Sequence, residues 1–143
     1  MIVVGVDGSD GGAAALAFAA SEAALRNARL RVVSAWEVPM PVAAGYGVDF
    51  PAHLDPATQE AFRVRAERIA NDAAAAAQGL QPALDVEAVA ILGQPADALL
   101  AQSDGADFVV VGRRGLGGFT SLLLGSVSQQ VVQHATCPVV IVN

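Results

Sequence analysis

The chain contains no lysine. That excludes the P-loop, Gly-x4-Gly-Lys-Ser/Thr, which needs the lysine to reach the β- and γ-phosphates. Cysteine occurs once, at Cys137, so no internal disulfide can form and no Cys/His cluster offers a zinc site. Charge is sparse, at 15% of 143 residues, and aromatics are sparser, at 5%. All eight basic residues are arginines and the net charge is −6. They fall into three groups: Arg26, Arg29 and Arg31; Arg63, Arg65 and Arg68; Arg113 and Arg114. Polyanion binding needs a clustered basic face, so nucleic acid is not an expected partner. No apolar run reaches the ~20 residues of a membrane span. An apolar strand begins at Ile2, directly after Met1, leaving no room for a secretory signal. The expectation is a cytoplasmic protein of one domain, able to bury about two-thirds of its unfolded surface.

What is present is apolar and small. Hydrophobic residues make up 54% of the chain, much of it alanine, which suits closely packed helices. Ile2–Val6 is a continuous apolar run, as expected for a parallel strand covered on both faces. Asp7-Gly8-Ser9-Asp10 breaks it, and Ser9 or Asp10 can cap a helix running to about Asn27, with Leu16, Ala20, Ala23 and Ala24 inward. Gly11 and Gly12 weaken its first turn. Leu30–Trp36 reads as the second strand. The segment Glu37 to Asp55, with Pro39, Pro41 and Pro51, has neither a helical nor a strand period. Loops of that length are uncommon and often functional. Asp55-Pro56 reads as N-cap and first helical residue. A stripe of Phe62, Ala66, Ile69, Ala73, Ala76 and Leu80 follows. Ala83–Leu92 reads as the third strand. Pro95 opens a short helix with Ala96, Leu99 and Leu100 inward, and Phe108–Val111 and Pro138–Val142 are the fourth and fifth strands.

Five strands alternating with four helices imply a doubly wound parallel sheet. In such sheets the ligand crevice lies at the carboxyl ends of the strands where the winding reverses. Gly112 to Ser126 fills the interval between the fourth strand and the last helix, whose inward face is Val127, Val131 and Ala135. Ser126 and Gln129 have capping-box spacing, which predicts a helix start at Ser126. Strand, glycine-rich loop and helix start together favour a phosphate, through close backbone approach and exposed amides at the positive helix end. A Rossmann loop would carry its glycines after the first strand, whereas these follow the last strand but one.

The pattern Gly112-x2-Gly115-x9-Gly125-Ser126 closely resembles the ATP-binding motif of the universal stress protein family. The resemblance extends to Val3-Val4-Gly5-Val6-Asp7-Gly8-Ser9, to Leu124-Gly125-Ser126-Val127 and to the tail Ala135–Val142, and so covers effectively the whole chain. It implies the strand order 3-2-1-4-5 of the adenine-nucleotide alpha-hydrolase-like fold, an ATP ligand, with Mg²⁺, and a homodimer formed through Val139–Val142. It places Asp7 beside the ribose and adenine edge or near a phosphate-bound metal, Ala35 under the adenine, and Gly5 close to the nucleotide.

Each candidate has a plainer alternative. Asp7 can be a turn or cap residue, and Gly5 a packing glycine. Gly112, Gly115, Gly117 and Gly118 let the loop fold around phosphates, with Gly115 needing positive φ or close approach to the ligand. Arg113 or Arg114 can clamp a phosphate, or both are solvated charges. Gly125, Ser126 and Val127 offer amides, although Ser126 can simply be a cap. Trp36 can stack on a base or sit partly in the core. His53, His134 and Cys137 have no partner at a telling spacing, so no catalytic residue is assigned. The expected function is a regulatory, stress-response ATP-binding module with at most slow hydrolysis. The alternative is an adenine-nucleotide hydrolase or transferase on the same fold.

Overall fold

The computed structural model describes residues 1–37, 55–116 and 124–143. The chain alternates β1(Ile2–Gly5), α1(Asp10–Arg26), β2(Leu30–Trp36), α2(Pro56–Leu80), β3(Val86–Leu92), α3(Pro95–Gln102), β4(Phe108–Gly112), α4(Ser126–His134) and β5(Val139–Val142). The five strands form one sheet in the order β3-β2-β1-β4-β5. Every pairing is parallel, with Ile2 opposite both Leu30 and Phe108, and Val109 opposite Val139. The order is the one expected, and it makes β1 and β4 the central neighbours between which the winding reverses.

The continuous apolar strands arise because both faces of the sheet are covered. On one face Ile2, Val4, Leu30, Val32 and Val110 pack against α1 and α2. On the other, Val3, Val33, Val109 and Val111 pack against Ala96 and Leu99 of α3 and Val131 of α4. The alanines of α1 bring that helix close to the strands: Ala15, Ala19, Ala20 and Ala23 are fully buried. Ala24, expected to face inward, is exposed.

Local signals set the helix ends. Ser9 caps α1, its hydroxyl accepting from the Gly12 amide at 3.1 Å, and Asn27 closes the helix in the left-handed conformation at φ 51°. Asp55 caps α2 through the Thr58 amide at 2.9 Å, with Pro56 at the first position. The apolar stripe of α2 departs from the expected one. Ala66, Ala70 and Ala77 are its buried positions, while Ala76 and Leu80 face solvent. Five consecutive alanines, Ala73 to Ala77, carry no period with which to choose a face. β3 begins at Val86 rather than Ala83, because a turn joins the Leu84 amide to the Gln81 carbonyl at 3.0 Å.

Candidate functional site

Asp7 lies just beyond β1, whose pairing is extended by a 2.9 Å bond from the Val6 amide to the Val33 carbonyl. Gly8, at φ 84°, turns the chain into α1. The half-buried Asp7 carboxylate is engaged on both oxygens. Oδ1 accepts from the Ser9 amide at 3.0 Å and the Ser9 hydroxyl at 2.5 Å. Oδ2 accepts from the Leu116 amide at 2.9 Å, across 109 residues of sequence. Asp7 is therefore a turn residue, and it also ties the first motif to the second.

Glycines make that junction possible. A Cβ on Gly11 would stand 2.2 Å from the Arg114 carbonyl oxygen, and one on Gly112 would stand 2.6 Å from the carbonyl carbon and oxygen of Gly11. One on Gly115 would lie 2.2 Å from Asp7 Oδ2. The first turn of α1 is thus seated backbone to backbone on the end of β4. Gly11 weakens a helix turn, as its propensity says, but its use is this approach. Gly115 is not left-handed: among the described residues Gly8, Gly93 and Gly105 are the glycines with positive φ. Its requirement is close approach, and the neighbour is Asp7.

The far end of the loop closes on its beginning. The Gly125 amide donates to the Arg113 carbonyl at 2.9 Å. The buried Ser128 hydroxyl lies 3.1 Å from that carbonyl and 2.9 Å from the Gly125 carbonyl. Gly125 is the N-cap of α4 and no side chain caps the helix. The expected capping box from Ser126 to Gln129 is not formed. Ser126 is instead the first helical residue, with its side chain exposed, and the hydroxyl that organises this end belongs to Ser128. The first amides of α4 have no partner within the helix.

These elements surround one cleft of about 510 Å³ at the carboxyl ends of β1 and β4, a size usual for small-molecule sites. Its walls are Gly5, Asp7 and Gly12 on one side and Gly112, Arg114, Gly115 and Leu116 on another, with Gly125, Ser126 and Val127 at the α4 end. The rest is apolar: Val33 and Ala35 from β2, Pro95 and Leu99 from α3, and Val111 from β4. Gly5 also serves packing, since a Cβ there would meet Leu99 Cδ1 at 2.8 Å.

Of the expected site residues, Arg113 is turned away. It borders a shallower depression beside Gly8, Asp10 and Asn143, and its Nη1 donates to Asn143 Oδ1 at 3.4 Å. Trp36 is half-buried and does not border the cleft. It alternates with Ala35 and so lies on the α2 side of the sheet. Gly117 and Gly118, most of the Glu37–Asp55 segment and His53 lie outside the described residues. Sequence reasoning missed Gly11, Ser128 and the apolar wall of Val33, Pro95 and Leu99. Strand alternation from Ala35 back to Val33 was the one signal for that wall.

Away from the cleft, four of the described arginines sit in ion pairs. Arg26 pairs with Glu22, Arg29 with Asp85, Arg31 with Glu87, and Arg63 with both Glu60 and Glu67. The hydrogen bond from Arg29 to Asp85 raises the guanidinium pKa above its ordinary value. Among the described residues Arg114 is the one arginine bordering the cleft, and no group of three or more His, Cys, Asp or Glu is placed to hold a metal. No described helix is long and apolar enough to cross a membrane.

Comparison with known proteins agrees with this architecture. The model of the Universal stress protein family matches residues 1–143. A universal stress protein of Thermus aquaticus is 41% identical over 144 residues, covering 99% of this chain and 97% of that protein. One from Mycobacterium tuberculosis is 39% identical over 140 residues, which cover 98% of this chain but 44% of that protein, so the chain spans less than half of that relative. Among solved structures, a universal stress protein in complex with cAMP is 30% identical, with a TM-score of 0.69 over 99% of this chain and 94% of that one.

Proposed function

The chain belongs to the universal stress protein family, and from that premise we propose that it is a regulatory, stress-response module that binds ATP. The observation carrying the reading is the convergence of two motifs on one cleft, joined by the 2.9 Å bond between Asp7 and Leu116. The phosphates rest on the backbone of Gly112 to Gly115, continuing toward Gly117 and Gly118, and on the amides of Gly125, Ser126 and Val127. A helix N-terminus favours that charge. Arg114 is the clamp nearest to them, while Arg113, turned toward Asn143, would reach them only by changing its side-chain conformation. The base lies against Gly5, Ala35, Val33 and Leu99, whose apolar surface suits an aromatic ring. The cAMP held by a relative 30% identical to this chain supports an adenine ligand.

Mg²⁺ accompanies the nucleotide on its phosphates, since magnesium is commonly held by substrate phosphates with only one or two carboxylates. Asp7 is the one carboxylate bordering the cleft among the described residues, and both its oxygens already accept hydrogen bonds. It is therefore poorly placed to orient an attacking water, and hydrolysis is at most slow.

The same reading has the chain acting as one domain, in the cytoplasm, as a homodimer. β5 is an edge strand, and its outer edge supports the pairing. The carbonyls of Pro138 and Val142 accept from the amides of Val109 in β4 and of Arg113 just beyond it. Backbone groups of alternate residues point to opposite edges, so Val139 and Ile141 offer theirs outward. An uncharged, unpaired edge invites a second copy about a two-fold axis.

Mass spectrometry of the gently purified protein, followed by calorimetric titration with ATP in the presence and absence of Mg²⁺, tests the reading. A co-purifying adenine nucleotide, or saturable ATP binding by the emptied protein, is expected. No binding of any adenine nucleotide overturns it.

A further inference from the structure

Asp7 is the residue on which the site turns, and its hydrogen bonds point to a particular role. Its carboxylate already accepts three bonds, two from Ser9 and one from the Leu116 amide. The Ser9 bonds hold the cap of α1. The Leu116 bond holds the loop. Gly115 lies so close that any side chain there would strike Oδ2, with its Cβ at 2.2 Å. Gly11 and Gly112 bring the same two segments into backbone contact a few residues away. Loop and helix are thereby registered at three points, of which only Asp7 is a directional, charge-assisted bond.

We infer that Asp7 is a positioning residue for the phosphate-binding loop: its carboxylate fixes the Leu116 amide and the Gly115 backbone, and it acts on nucleotide phosphates through that loop instead of touching base or ribose. The inference rests on the adenine-nucleotide reading above and assigns Asp7 a role within it. Removing the carboxylate costs the loop its fixed amide while leaving the apolar wall of Val33, Ala35 and Leu99 in place. Phosphate-bearing ligands lose affinity and a ligand without phosphate keeps it. A direct contact with ribose or base would instead weaken both alike.

Asp7→Asn tests this with little change in shape. Its amide has one acceptor oxygen, which cannot serve both Ser9 on one side and Leu116 on the other. Wild type and variant are titrated with ATP and with adenosine, and their folding is checked by thermal melts. The expected result is a loss of roughly tenfold or more for ATP, the scale of one charge-assisted hydrogen bond, with adenosine changed by less than about threefold. Equal losses for both ligands, or unchanged ATP affinity, overturn the inference. Gly115→Ala approaches the same contact from the loop side with the carboxylate intact, and it must give the same ATP-selective loss. Full ATP affinity in Gly115→Ala beside a loss in Asp7→Asn would mean that the carboxylate itself touches the ligand.

Amide hydrogen exchange on the ligand-free proteins supplies an arm independent of nucleotide. The Leu116 amide is expected to exchange about tenfold faster in Asp7→Asn than in wild type, and unchanged protection overturns the inference. Failure of the wild type to bind either ligand would sink the nucleotide reading alone, and the exchange measurement would still decide whether Asp7 holds the loop.

Discussion

Gly112→Ala and Gly79→Ala make the same chemical change and are expected to move stability in opposite directions. At Gly112 the new methyl would lie 2.6 Å from both the carbonyl carbon and oxygen of Gly11. Neither neighbour is the end of a flexible side chain. Restoring ordinary contact requires α1 to lift from the sheet by about 0.8 Å. That helix is seated on fully buried alanines, Ala15 and Ala19 among them, so lifting it opens the seam beneath. Overpacking of this kind costs typically about 1–3 kcal/mol, and a rigid backbone obstacle favours the upper half of that range. The smaller entropy of the unfolded alanine chain returns about 0.5 kcal/mol. The net expectation is a loss of about 2 kcal/mol, or roughly 6–8 °C in Tm for a chain of this size. At Gly79 a methyl meets nothing within 4 Å, inside α2, and alanine should add about 0.5 kcal/mol. Urea denaturation gives both values. Gly112→Ala within about 0.5 kcal/mol of wild type, or Gly79→Ala as destabilising as Gly112→Ala, would refute the close seating of α1 on β4.

Ser128→Ala removes the buried hydroxyl at the base of the loop but leaves the Gly125 amide on the Arg113 carbonyl; stability should fall by about 1 kcal/mol in chemical denaturation. Ile141→Pro, whose amide points to the outer edge of β5, should give monomer by light scattering with its fold intact. Val140→Pro would be a poorer test, because the Val140 amide faces β4, and a wild type already monomeric at micromolar concentration would contradict the dimer. The Thr58 hydroxyl and then the Thr58 amide hold the Asp55 carboxyl below its ordinary pKa, and Arg63 does the same for Glu60. Because the folded values are depressed, their stabilisation is complete above the unfolded pKa and is lost as pH falls through the folded one, so Tm should be level near neutrality and fall below about pH 4. In a carboxyl titration followed by NMR, Thr58→Ala should return the Asp55 pKa toward the ordinary carboxylate value.

The parallel sheet was legible because strands alternate with helices and its central strands are apolar runs between turn residues, as in Ile2–Gly5 and Phe108–Gly112, while its order came from the resemblance to the family. The helix starts at Ser9 and Asp55 were legible because capping is local chemistry. The errors have local causes too. Ser126 and Gln129 matched the capping-box spacing, but Gly125 occupies the cap and no side chain caps the helix; the hydroxyl of Ser128 instead donates to the Gly125 and Arg113 carbonyls. The alanine run in α2 could not declare its buried face. The two halves of the site could be assigned to one crevice once the resemblance supplied the strand order, since strands 1 and 4 then flank the reversal. What sequence could not show is how they meet. The contacts of Gly11 with Arg114 and of Asp7 with Leu116 span about a hundred residues, and nothing local to Gly11 distinguishes close approach from a weakened helix turn.

Titration of the isotopically labelled protein with ATP and Mg²⁺, followed through its backbone amide resonances, tests the central claim most directly. Saturable shifts are expected at Gly112 to Leu116, at Gly125 to Ser128 and at the strand ends around Gly5 and Ala35, with α2 residues such as Ala70 and Ala77 unmoved. Saturable binding whose shifts fall elsewhere, or no shifts at millimolar ATP, would contradict it.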